Sequence, residues 1–342
     1  MSRLPFRQVH LDFHTSEKIP GIGSAYNEED FINTLKTGHV NSITVFAKCH
    51  HGWSYYPSKV NPIHPNLKFD LLSAQLKACK KAGIRAPIYI SAGYDEKEAV
   101  KHPEWIVKPN PDFNPDFSFP HYQLLCMNSP YLNLLIEQVE EVMQLFNPDE
   151  IFLDICGERR CYCENCIKGM KEAGLDPESE EDHDKYSIFV YAEYCRKVRE
   201  AVDKYNSETA VFHNGGNIIR GRRDLVSYES HLELESLPTG GWGYDHFPMS
   251  AAYCRNLGKE YLGMTGKFHV SWGEFGGFKH PNALIYETSL SLALGAKCSI
   301  GDQLHPCGEL NSATYNLIGK AYKLVEEKEP WCDDVSSIAD IA

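Results

Sequence analysis

Acidic and imidazole side chains recur along the short hydrophobic runs of this sequence. Residues 9–14 alternate Val9, Leu11 and Phe13 with His10, Asp12 and His14. Residues 231–235 repeat the pattern, with Leu232 and Leu234 between His231, Glu233 and Glu235, and residues 150–155 set Phe152 and Asp154 against Leu153 and Ile155. Side chains alternate across a strand, so each run carries its polar set on one face. Carboxyl groups gathered over one hollow can serve as acid, base or nucleophile, and burial or a neighbouring charge raises the pKa of one of them. A second cluster is soft. Cys161, Cys163 and Cys166 stand close together, and a tetrahedral Zn²⁺ site wants four such ligands. Cys126 supplies the fourth if its segment lies beside the 161–166 loop; a disulfide or free thiols are the alternatives.

These groups need a frame. Strand patterns fall at 9–14, 42–47, 86–91, 150–155, 210–214, 231–235, 261–265 and 297–302. Helix patterns fall at 28–37, 70–82, 130–146, 184–205, 248–257, 281–294 and 312–328, with 218–225 too short for a full helix. Asn27 with Asp30 suits a loose capping box, and Ser129 before Pro130 suits an N-cap. Gly38, Gly83, Gly258 and Gly295 stand where left-handed helix caps are wanted. Strands alternating with helices predict parallel pairing, and eight such units predict a (β/α)₈ TIM barrel over residues 1–330. The runner-up, a doubly wound sheet, lacks a Gly-rich turn after its first strand. In a barrel the polar sets point inward, near the mouth, where function rather than packing accounts for them. Residues 331–342 read as the start of a further domain.

The 342 residues carry 34 Lys+Arg against 47 Asp+Glu, a net charge of −13. That balance argues against a nucleic-acid or anionic-membrane partner. No apolar stretch approaches the roughly 20 residues of a membrane span, and residues 1–8 hold no apolar signal core, so a cytoplasmic location is expected. Most of the 12 cysteines suit small buried side chains.

Residues 45–59, Val-Phe-Ala-Lys-Cys-His-His-Gly-Trp-Ser-Tyr-Tyr-Pro-Ser-Lys, resemble the second-strand motif of α-L-fucosidases, glycoside hydrolase family 29. Residues 69–91 resemble the segment that follows it. Cys126-Met-Asn-Ser-Pro-Tyr131, Asp154, Cys161-Tyr-Cys-Glu-Asn-Cys166 and His213-Asn214 are similar to family 42 β-galactosidases. As a whole the chain most resembles the fucosidase-like, hypothetical glycoside hydrolases between those families. Two departures stand out: His51 replaces the fucosidase motif's Asp, and Ile155-Cys156 replaces the galactosidase Asn-Glu. The resemblance implies an exo-acting, retaining glycosidase that removes a terminal α-L-fucosyl or β-galactosyl unit from an oligosaccharide or glycoside. It implies Asp154 as nucleophile and a structural zinc held by Cys126, Cys161, Cys163 and Cys166. It also implies a continuation of the chain associated with oligomer formation, so a homo-oligomer is expected.

Glycoside hydrolysis generally needs a second carboxyl group across the scissile bond. Glu235 is the first choice, because alternation turns it inward at a strand end. Glu274, in Trp272-Gly-Glu-Phe-Gly-Gly277, is the second and Glu233 the third. Trp53, Tyr55, Trp242, Tyr244 and Trp272 are candidate platforms for sugar faces, each with the plainer alternative of a core aromatic. His50 matches a sugar-holding fucosidase histidine, with His51 beside it. His10, Asp12, His14, Asn214, His269, Asp302 and His305 follow from strand-end placement. Two rival readings remain. One is a metal-dependent hydrolase built on His10, Asp12, His14, His213, His231 and Asp302; the other is a non-catalytic sugar-binding barrel.

Overall fold

The computed structural model describes residues 3–110 and 122–338. Its strands are β1 (Arg7–Asp12), β2 (Ser42–Lys48), β3 (Ile88–Ser91), β4 (Glu150–Asp154), β5 (Ala210–Asn214), β6 (Leu232–Glu235), β7 (Tyr261–Gly266) and β8 (Lys297–Gln303). Its helices are α1 (Glu28–Thr37), α2 (Leu71–Ala82), α3 (Glu96–Lys101), α4 (Tyr131–Phe146), α5 (Glu164–Glu172), α6 (Glu180–Asp203), α7 (Arg223–Val226), α8 (His246–Cys254), α9 (Pro281–Ala293) and α10 (Ser312–Cys332). Parallel neighbours run β5-β4-β3-β2-β1-β8-β7-β6, and the sheet curls into a (β/α)₈ barrel. No ladder joins β5 to β6. The Ser230 amide donates to the Val211 carbonyl, the Val211 amide to the Ser230 hydroxyl, and the His213 amide to the Glu229 carboxylate.

Register decides which side chains share a face. Val9 pairs with Ile43 and Ile300, all fully buried, while His10 pairs with Thr44 and Gly301 on the inward face. Across β3–β5 the inward register is Tyr89, Phe152 and Phe212. Their rings, with Phe46 stacked 3.7 Å from Tyr89, fill the barrel around His10, where branched aliphatic side chains are the usual filling. A bulge between Phe46 and Lys48 turns Lys48 out to Asp95 and the Tyr131 hydroxyl, at 3.0 and 3.1 Å.

The N-terminal end of the barrel holds a buried ion chain. Arg85 binds Glu150 at 2.8 Å, and His231 Nε2 lies 3.7 Å from Glu150 and 2.9 Å from Glu233. Burial lowers and Glu150 raises the pKa of His231, with a net rise. Arg85 and the His231 imidazole thus partner both buried carboxyl groups. Glu233 is therefore spent in this chain, a correction to its place among the site residues.

Local signals act as their chemistry dictates, with one exception. Asn27 accepts from the Asp30 amide at 3.0 Å, and Gly83, Gly258 and Gly295 take φ of 70°, 74° and 83°. Gly38 instead has φ −77°, and His39 takes the left-handed position at 54°. Gly38 is needed for space: a Cβ there would meet Tyr315 Cδ1 at 2.8 Å. Pro130 already has helical dihedrals, φ −56° and ψ −17°, and the Ser129 hydroxyl before it accepts from the Tyr131 amide at 3.3 Å and donates to the Cys126 carbonyl.

Candidate active site

The C-terminal ends of the strands gather the acids. Asp154 ends β4 in register with Ser91 of β3 and Asn214 of β5. Its Oδ2 accepts from the Tyr89 hydroxyl at 2.5 Å, and its Oδ1 from the Ile155 amide at 2.8 Å and Asn214 Nδ2 at 2.9 Å. Ile155 has φ 61°, a conformation a β-branched residue rarely adopts. Strained backbone of this kind collects at functional sites, and here it accompanies the amide bond to Asp154.

Glu235 ends β6 on the other side. Its Oε1 accepts from the Trp272 indole N–H at 2.7 Å, and its Oε2 lies 3.3 Å from the same Asn214 Nδ2. Asp154 Oδ1 and Glu235 Oε2 thus share one amide nitrogen and face each other across it. Burial and the Asp154 charge push the Glu235 pKa up to about 7, against the hydrogen bonds from Trp272 and Asn214. One acid is thereby prepared to hold a proton near neutrality beside an acid that is well supplied with donors.

Imidazoles line the β1–β2 side. His50 lies ring to ring on His14 at 3.7 Å. Ser91 gives its proton to the Tyr94 carbonyl and so accepts from His50 Nδ1 at 2.7 Å. His50 Nε2 is left as an acceptor, 3.8 Å from Asp154 Oδ2 and open to a donor between them. Burial is the main cause that lowers the His50 pKa and holds the ring neutral. Burial lowers and Asp12, 2.8 Å away, raises the pKa of His14, for a net rise to about 10. The His50 amide nevertheless donates to His14 Nδ1, and this backbone contact fixes the neutral Nε2–H tautomer. His10 lies on the floor, with Trp272 edge-on at 5.3 Å.

The structure therefore brings together His10, Asp12, His14, His50, Asp154, Asn214, Glu235 and Trp272. Other expected residues are placed elsewhere. Glu274 gives its carboxylate to the amides of His269 and Val270 within its own loop. Asp302 pairs in register with Leu11, faces the helices, and has its pKa raised to about 6 by burial, against Lys267 and Tyr315. Tyr55 is fully buried and donates to the Phe13 carbonyl. Trp53 packs edge-on to His64 at 6.1 Å. His51 shares a hydrogen bond with Tyr122, Tyr244 donates to Glu287, and His305 Nδ1 meets the Cys307 thiol at 2.9 Å. His269 sits on the exposed loop tied by Glu274, and Trp242 packs edge-on to His246 at 4.9 Å on the rim. Tyr89, Ser91 and Gln303, whose amide binds the Trp272 carbonyl, were not foreseen. The rival metal set does not converge: His213 is bound to Glu229, His231 lies in the ion chain, and Asp302 faces outward.

The four cysteines meet beside this site. Their sulfurs all lie within 4.8 Å of one another, with Cys126–Cys166 at 3.4 Å and Cys126–Cys163 at 3.8 Å. All four are buried and none is in a disulfide. Zn–S bonds of about 2.3 Å in a tetrahedron put sulfurs about 3.8 Å apart, so the set fits a closed zinc site with no free position for water. The Asn128 amide points at Cys126 Sγ from 3.4 Å, a contact that favours thiolate.

Comparison with known proteins follows the same lines. Residues 27–155 match the family described as hypothetical glycosyl hydrolase 6, GHL6. The likeness is to glycoside hydrolases. Among solved structures the chain is similar to α-L-fucosidase isoenzyme 2 from Paenibacillus thiaminolyticus, with 57% identity and a TM-score of 0.96 over 98% of this chain and 52% of that one. It thus spans about half the length of that fucosidase. The α-fucosidase of Thermotoga maritima (16% identity, TM-score 0.57, 94% of this chain and 61% of that one) shares the fold. So does α-L-fucosidase AlfC of Lactobacillus casei (15%, 0.54, 91% and 82%). No curated protein matches. Among the described residues no helix is long and apolar enough to cross a membrane.

Proposed function

We propose that this fucosidase-like barrel is the catalytic part of an exo-acting, retaining glycosidase that removes a terminal α-L-fucosyl unit. Asp154 is the nucleophile and Glu235 the acid/base. The observation that carries the reading is the single Asn214 amide that reaches one oxygen of each acid, which makes Asp154 and Glu235 a facing pair over one hollow. In the first half-reaction Asp154 forms a bond to the anomeric carbon while the glycosidic C–O bond breaks, and the Glu235 proton goes to the leaving oxygen. In the second, Glu235 takes a proton from water, whose oxygen displaces Asp154. The fucosyl preference is supported by the 57% identity to a protein named α-L-fucosidase, in place of the β-galactoside alternative.

We also propose that Cys126, Cys161, Cys163 and Cys166 hold a structural zinc ion. Its role would be to tie the segment carrying Cys126 to the excursion after β4, with catalysis left to the carboxyl groups.

The test is a panel of aryl α-L-fucoside, β-galactoside, arabinoside, rhamnoside and glucoside substrates, with product stereochemistry followed by NMR. Turnover of the fucoside with retention is expected. Asp154→Asn and Glu235→Gln should each lower kcat by several orders of magnitude without loss of fold. Near-normal activity in Asp154→Asn overturns its role, inversion overturns the double-displacement route, and binding without turnover of any glycoside favours the non-catalytic barrel.

A further inference from the structure

We propose that Asn214 is a positioning residue whose one side-chain amide serves whichever of the two acids carries the negative charge at each stage of turnover. The inference rests on the assignment of Asp154 and Glu235 above. Asn214 cannot rotate freely: the Gly216 amide donates to its Oδ1 at 3.0 Å, so Nδ2 is the end turned to the acids. That nitrogen carries two hydrogens, with Asp154 Oδ1 at 2.9 Å and Glu235 Oε2 at 3.3 Å as their acceptors. The Trp272 indole already occupies Glu235 Oε1. Both oxygens of Glu235 thus face N–H donors, an arrangement suited to a carboxylate and poorly suited to a carboxylic acid.

A proton on Glu235 weakens acceptance at the oxygen that carries it, and the Asn214 contact, at 3.3 Å against 2.7 Å from Trp272, is the weaker to begin with. Oε2, the oxygen with the longer contact, therefore holds the proton, and Asn214 then serves chiefly Asp154. When the glycosidic C–O bond breaks, the Oε2 proton leaves on the departing alcohol and Asp154 becomes a neutral ester. The charge has crossed from Asp154 to Glu235, and the amide follows it. A donor that meets charge where it develops accelerates the step; one that binds both states equally does not. The other groups acting on Glu235 are Asp154 from β4 and Asp12 from β1, whose charges favour the protonated form, and the Trp272 N–H from the loop after β7. The His10 ring lies beyond Trp272.

The experiment is the pH profile of kcat/KM on an aryl α-L-fucoside for the wild-type chain, Asn214→Ala, Asn214→Ser and Trp272→Phe. Thermal unfolding of each is measured alongside. Loss of a donor to the carboxylate raises the pKa of Glu235, so the basic limb should move up by about 0.5–1 unit in the Asn214 variants. Trp272→Phe should move it the same way. The kcat of Asn214→Ala should fall about 10²-fold, with a much smaller change in KM. A purely structural residue would lower Tm and kcat and leave the limb in place, and a stationary limb in folded Asn214→Ala and Asn214→Ser overturns the proposal. Where turnover is too slow, ¹³C NMR titration of the Glu235 carboxyl carbon reads the same shift. Active Asp154→Asn and Glu235→Gln would instead overturn the underlying assignment; with both inactive and the limb stationary, only the role of Asn214 falls.

Discussion

A carboxyl group whose pKa is raised to about 7 stabilises the fold only while it is protonated. An unfolded Glu titrates near about 4.3, so the stabilising contribution of Glu235 is complete below that pH and is lost as pH rises through about 7. Glu235→Gln should accordingly raise Tm by a few degrees at pH 8 and leave it unchanged at pH 4; a difference independent of pH would count against the raised value. Alternation of residues 231–235 and 150–155 was enough to turn Glu235 and Asp154 inward, because a strand's period of two leaves no other choice. Asp302 was misplaced because only its strand-end position was weighed; alternation with Cys298 and Ile300 sets it on the apolar face, where it pairs with Leu11. Tyr89 was missed because a tyrosine in a hydrophobic run looks like core, and only register puts its hydroxyl on Asp154.

Between β3 and β4 the fit is tight enough for one methyl group to matter. The Gly93 amide donates to the Asp154 carbonyl, and a Cβ on Gly93 would meet the Ile155 carbonyl oxygen at 2.1 Å. That neighbour is backbone and cannot swing aside. Gly93→Ala should push the residues after Asp154 out of place and lower kcat about 10²-fold or more, since misplacement by about 1 Å has that effect. Steady-state kinetics with circular dichroism would check it, and unchanged kcat in a folded protein would show that the loop can yield. The strands and long helices were legible within a few residues at most of their ends because their hydrophobic periods are long and their flanks are marked. The 6-residue α3 and 9-residue α5 were not, since each presents only two buried residues. Yet α5 carries Cys166, and α3 is capped by Asp95, the partner of Lys48.

For the molecule as a whole, the eightfold alternation of strand and helix foretold the barrel, and the cysteine spacing foretold the meeting of four thiols. Purified protein should carry about one zinc per chain by elemental analysis. Cys163→Ser should lose it and lower Tm; an unchanged metal content would end the zinc assignment. What the sequence concealed is the join between β5 and β6, since Glu229 and Ser230 make it with side chains that follow no period. That join has a consequence for the site. Asn214 stands on one of its edges and Glu235 on the other. Backbone ladders join the remaining staves, whereas here one backbone bond and two side-chain bonds set the gap. The span that the Asn214 amide must bridge to Glu235 is thus fixed by residues 229 and 230, at the far end of the same seam.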